Sequence, residues 1–85
     1  MNLLIVDDET SLRRTLRLTL ESMKHHVTDV AAGPPALAAL AQERFDLAFL
    51  DLRLGRESGL DLLPQFQAAA PGVGVVVMTA FAAID

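Results

Sequence analysis

The sequence predicts an α/β domain built as a three-layer, doubly wound parallel sheet. Three observations carry that prediction. Four short segments rich in aliphatic residues, 3–6, 27–31, 47–50 and 73–78, are spread through the 85 residues. Longer stretches with apolar residues at helical spacing separate them. Most of the short segments are apolar at consecutive positions, which suits strands covered on both faces by helices.

Leu3-Leu4-Ile5-Val6 is a continuous apolar run that stops at Asp7, Asp8 and Glu9, and it reads as the first strand. Leu12, Leu16 and Leu20 recur every four residues and predict a helix with one apolar stripe. Residues 27–31 give a second, shorter strand. Gly33-Pro34-Pro35 opens a second helix, because proline is tolerated in a first turn whose N–H groups have no helical partner. Its predicted inner face is Leu37, Leu40 and Ala41. Leu47-Ala48-Phe49-Leu50 is a third buried strand ending in Asp51. The polar stretch from Arg53 to Gly59 reads as a loop. Leu60, Leu63 and Phe66 mark a third helix with Pro64 near its first turn, and Pro71-Gly72 stops it. Val75, Val76 and Val77 anchor the fourth strand, and a further helix is expected from Ala82. With right-handed crossovers the expected strand order is 2-1-3-4.

Composition narrows the function classes. Apolar residues make up 52% of the chain, against about 45–50% in ordinary domains even with glycine counted. The absence of cysteine excludes disulfides and thiolate metal sites. The formal net charge is −4, and Arg13, Arg14 and Arg17 are interleaved with apolar residues. Direct nucleic-acid binding by this segment is therefore not expected, since it needs clustered cations. The apolar start is short and runs into acids, unlike a signal peptide, and no run nears the roughly 20 residues that span a bilayer. A soluble, cytoplasmic protein is expected.

In open parallel sheets function sits at the carboxyl ends of the strands. Here those ends carry Asp7 and Asp8, then Asp51, then Thr79-Ala80. If the first and third strands are neighbours, three carboxylates converge. Such a set either takes up protons or binds a cation, and its oxygen donors suit Mg²⁺ rather than Zn²⁺. One carboxylate can act as a nucleophile toward phosphorus. The Thr79 hydroxyl and the Ala80 amide stand where they could grip phosphoryl oxygens.

At these residues the chain resembles the receiver domain of bacterial two-component response regulators. The matching pieces are residues 4–9, 49–53, 58–60 and 77–80, in order and at fitting spacing along the whole chain. The resemblance implies a flavodoxin-like receiver fold and a role for each matching residue. Asp51 would accept a phosphoryl group from a sensor histidine kinase. Asp8 would bind Mg²⁺ directly with Asp7 beside it, and the backbone carbonyl of Arg53 would be a further ligand. Thr79 would bond the phosphoryl group and act as the switch, with the Ala80 amide beside it. Arg53 and Phe81 occupy positions that tune phosphoryl lifetime.

Two departures from the family pattern stand out. Leu54-Gly55 replaces the Met-Pro found in many receivers. Residues 52–55 and 80–85 resemble the enhancer-binding, nitrogen-regulatory-type branch, which implies a transcription-activating output in the parent protein. The family's fifth strand, its lysine and its last helix have no counterpart, and Lys24 is the sole lysine. Residues 1–85 are thus expected to be the N-terminal part of a receiver domain. Its uncovered fourth strand would favour a homodimer, a swapped assembly or poor stability.

Plainer readings apply elsewhere. An acid after an apolar run is commonly a strand end or a helix cap, and the joint register of Asp8, Asp51 and Thr79 is what argues against it. His25 and His26 read as loop or strand-leading residues, Asp29 as a surface charge, Asp46 as a strand-entry charge, Asp61 as a helix-surface charge, and Phe45, Phe49 and Phe66 as core or interface packing. Arg13, Arg14 and Arg17 read as a solvated helix face. The alternative function is a phosphorylation-incompetent fragment that acts only by binding. A phosphohydrolase would want its second acid two residues after a nucleophile on the first strand, and Asp7-Asp8-Glu9-Thr10 does not offer that spacing for a nucleophilic Asp8.

Overall fold

A computed structural model describes residues 1–55 and 57–78, with Glu57 described by its backbone alone. The elements are β1 (Asn2–Val6), α1 (Thr10–Ser22), β2 (His26–Val30), α2 (Gly33–Gln42), β3 (Leu47–Asp51), β4 (Arg53–Leu54), β5 (Glu57–Ser58), α3 (Gly59–Ala69) and β6 (Gly74–Met78). The main sheet is parallel throughout in the order β2-β1-β3-β6. Counting only its four strands, this is the expected order 2-1-3-4.

The central strand explains the continuous apolar run. Side chains alternate faces along a strand, so Leu3 and Ile5 pack with Val27 and with Leu16 and Leu20 of α1. Leu4 and Val6 face the other layer, with Ala36 and Leu40 of α2 and Leu62 and Phe66 of α3. Each such side chain, sealed from water, contributes about 1.5–3 kcal/mol. Phe45 and Phe66 are core residues and Phe49 packs beside the α1 layer, as expected.

Several expectations are corrected. Arg53 to Gly59 is not a plain loop: β4 and β5 form an antiparallel hairpin with Arg53 opposite Ser58. Leu12 is 50% exposed, because a spacing of four drifts about 40° per step around a helix and leaves it off the Leu16–Leu20 contact. Leu60 is 60% exposed, being about 200° around α3 from buried Leu62. Ala41 is exposed, and the buried residues of α2 are Gly33, Ala36 and Leu40. Pro64 lies inside α3 beyond its first turn, where it removes a helical hydrogen bond to the Leu60 carbonyl. Helix α1 closes with Lys24 at a left-handed φ of 72°. The Lys24 and His25 amides donate to the Glu21 and Leu20 carbonyls, a Schellman ending that most often uses glycine. The helix expected from Ala82 lies outside the described residues. Among those described, no helix is long and apolar enough to cross a membrane.

Candidate functional site

The sheet order puts β1 beside β3, so their carboxyl ends meet. Asp7 and Asp8 follow β1, and Asp51 is the last residue of β3. One oxygen from each of the three carboxylates falls within 4.8 Å of the others. Asp7 is 1% exposed, while Asp8 is exposed and Asp51 half-buried.

Backbone donors fix each carboxylate. Asp7 continues the sheet through its N–H to the Val30 carbonyl at 3.1 Å, and its Oδ1 accepts the Glu9 N–H at 2.9 Å. Asp8 Oδ2 accepts the Gly55 N–H at 2.8 Å. Asp51 Oδ1 accepts the Arg53 N–H at 3.1 Å. Behind Asp51, Leu52 donates to the Met78 carbonyl at 3.0 Å and accepts from the Gly59 N–H at 2.9 Å. Gly59 is required there. A Cβ on it would run into the Asp51 carbonyl oxygen and come within 2.8 Å of Leu52 Cα.

The electrostatics favour a cation. Burial pushes the Asp7 carboxyl above its ordinary range. The Glu9 N–H opposes that rise, and the neighbouring charges of Asp51 and Asp8 add to it. A hard divalent ion fits this set of oxygen donors, because it would offset the like charges that otherwise favour a proton.

The structure therefore brings together Asp7, Asp8 and Asp51. Arg53 stands next to them in β4, paired with Ser58. Met78 is the register partner of Asp51, but Thr79, Ala80 and Phe81 lie outside the described residues.

Three side chains near the site, Arg13, Arg17 and Asp29, were misread in the sequence as solvated or surface charges. Arg13 Nε bonds Asp29 Oδ2 at 2.8 Å, and its Nη1 donates to the Asp7 carbonyl at 2.7 Å. Arg17 pairs with Asp29 Oδ1 and, at 3.1 Å, with Glu21. Burial raises the Asp29 carboxyl, but hydrogen bonds from Arg13 and Arg17 outweigh it and leave the group below its ordinary range. The signal was present: Arg13, Leu16, Arg17 and Leu20 share one helical face, and Asp29 shares the strand face of buried Val27.

Comparison with known proteins agrees with this architecture. The family model described as "Response regulator receiver domain" matches residues 3–85. The alginate biosynthesis transcriptional regulatory protein AlgB of Pseudomonas aeruginosa is 46% identical over 83 residues, which is 98% of this chain and 18% of that protein. The response regulator protein PilR of the same species is 40% identical over 82 residues, which is 96% of this chain and again 18% of that protein. The chain thus spans under a fifth of the length of these relatives, and the name of the first, a transcriptional regulatory protein, agrees with the branch that residues 52–55 resemble.

Among solved structures, a Burkholderia pseudomallei response regulator with a phosphorylated aspartic acid, calcium ion and citrate superposes with a TM-score of 0.91 at 31% identity. That match covers 98% of this chain and 49% of the other. Response regulator protein TrrA of Thermotoga maritima, in complex with Mg²⁺ and BeF, gives 0.87 at 25% identity, covering 95% and 70%. With the parallel sheet, the three converging carboxylates and the family match over residues 3–85 in agreement, the chain belongs to the response regulator receiver domain family of two-component systems.

Proposed function

We propose that Asp51 is the phosphoacceptor of this receiver domain and that a sensor histidine kinase supplies the phosphoryl group. The observation that carries the reading is the convergence of Asp7, Asp8 and Asp51 within 4.8 Å at the carboxyl ends of two adjacent strands. Asp7, Asp8, Asp51 and the Arg53 backbone carbonyl would hold Mg²⁺. When bound, the ion supplies positive charge that offsets the carboxylates and the incoming phosphoryl group.

The chain's own residues do the rest. The Arg53 N–H holds Asp51 Oδ1, which leaves Oδ2 to attack phosphorus. The new Oδ2–P bond forms as the P–N bond to the donor imidazole breaks, and the electron pair leaves on that nitrogen. Glu9 and Gly55 N–H groups keep Asp7 and Asp8 in place, so no backbone rearrangement is needed at the moment of transfer. Thr79 and the Ala80 amide, next along the chain from Met78, would bond the phosphoryl oxygens and pass the change to a transcription-regulating output. Residues 1–85 act in this as one receiver segment in the cytoplasm.

The alternative is a receiver segment that works only by binding. Intact mass after incubation with Mg²⁺ and a small acyl phosphate separates the two. One phosphoryl gain that Asp51→Asn abolishes supports phosphoacceptance. No gain in a folded sample supports the binding-only reading.

A further inference from the structure

The ladder between β1 and β2 ends at Val6 and Val30. Asp7 still donates its N–H to the Val30 carbonyl, but its own carbonyl takes the Arg13 Nη1 hydrogen at 2.7 Å. The same guanidinium is clamped from its other side by Asp29 at 2.8 Å, and the two side chains are each only 18% exposed. One planar fork therefore ties the peptide between Asp7 and Asp8 to a fixed point on β2. Arginine suits this role because its donors point in set directions.

We propose that Arg13 is the positioning residue of the acidic site: by bridging the Asp7 carbonyl and the Asp29 carboxylate it holds Asp7 and Asp8 facing Asp51, and so sets how tightly that site takes a divalent cation. The claim rests on reading Asp7, Asp8 and Asp51 as the cation site. Charge and position pull in opposite directions here, which makes the claim testable. Arg13 and Arg17 face Asp29 and Glu21, so the four formal charges cancel. Removing Arg13 leaves a net negative cluster near the site, and by charge alone Mg²⁺ would bind more tightly. If Arg13 acts by position, Mg²⁺ binds more weakly. Groups that orient metal ligands typically change affinity by about tenfold or more.

The test is calorimetric Mg²⁺ titration of the full chain as wild type, Arg13→Ala, Arg13→Lys and Arg17→Ala. Arg17→Ala makes the same charge change without touching Asp7. The expected result is about tenfold weaker binding in Arg13→Ala, a smaller loss in Arg13→Lys, and unchanged or tighter binding in Arg17→Ala. Binding in Arg13→Ala as tight as in Arg17→Ala overturns the inference. Arg13→Lys carries the comparison if Arg13→Ala does not fold. Backbone amide shifts of Asp7 and Asp8, recorded without cation, give an independent reading. They move in the Arg13 variants and stay in Arg17→Ala, and unmoved shifts overturn the inference. A wild-type chain that takes no Mg²⁺ defeats the proposed cation site instead, and the amide shifts then decide the positional claim.

Discussion

Gly55 donates its backbone N–H to Asp8 Oδ2 at 2.8 Å, and it does so from a left-handed conformation with φ 61°. The β4–β5 hairpin is thereby tied to the exposed carboxylate of the acidic site. A proline at this position, as in many receivers, could not make the bond, since proline has no N–H and a fixed negative φ. The Leu54-Gly55 departure is thus a physical difference at the site. Gly55→Ala keeps the donor but strains the backbone, and is expected to lower stability by about 1 kcal/mol in urea unfolding. Gly55→Pro is expected to lower it further and to weaken Mg²⁺ binding, because Asp8 loses its anchor.

Gly59→Ala is expected to be worse tolerated than its size suggests. The added methyl meets the backbone of Asp51 and Leu52, which cannot swing aside as a side chain can. A loss of about 1–3 kcal/mol is expected from this overpacking. Because the displaced backbone carries Asp51, the phosphoryl gain should fall in samples that remain folded.

Lys24→Gly is expected to stabilise. Lys24 closes α1 at φ 72°, a region that disfavours side chains and suits glycine. An increase of about 0.5–1 kcal/mol in urea unfolding is expected, with Mg²⁺ binding unchanged.

Much of this fold was legible in the sequence, and the limits follow from the residues. The run from Leu3 to Val6 had to be a strand with two covered faces, and the acids after it had to lie at the sheet's carboxyl edge. Once β1 lies beside β3, Asp51 must join Asp7 and Asp8. The hairpin was not legible because each of its strands is two residues long and carries no alternation to read. Leu12 and Leu60 were misplaced because a spacing of three or four residues drifts around the helix, which carries them off the face that meets the sheet. Arg13 and Asp29 were misread as solvated charges, although each sits on the inward face of its element. A charge at an inward position signals a partner more often than a surface.

The Asp29 cluster gives stability a defined acid limit. Its carboxyl lies below the ordinary value of 3.8 in the folded chain, where the bonds from Arg13 and Arg17 outweigh burial. The folded state therefore holds this proton less tightly than the unfolded state does. The stabilisation is fully present well above pH 3.8 and is lost as pH falls through the lowered folded value. Urea midpoints of wild type and Asp29→Asn should differ at pH 7 and converge in acid. A gap that persists unchanged at low pH would show that Asp29 acts by packing alone.

The central claim is that Asp51 itself carries the phosphoryl group. Borohydride reduction of the chain after Mg²⁺ and acyl-phosphate treatment, followed by peptide sequencing in a mass spectrometer, tests it at the residue. An aspartyl phosphate is reduced to homoserine, and the account predicts homoserine in place of Asp51 alone, dependent on Mg²⁺. Homoserine at Asp7 or Asp8, or none anywhere in a folded, cation-bound chain, would contradict it.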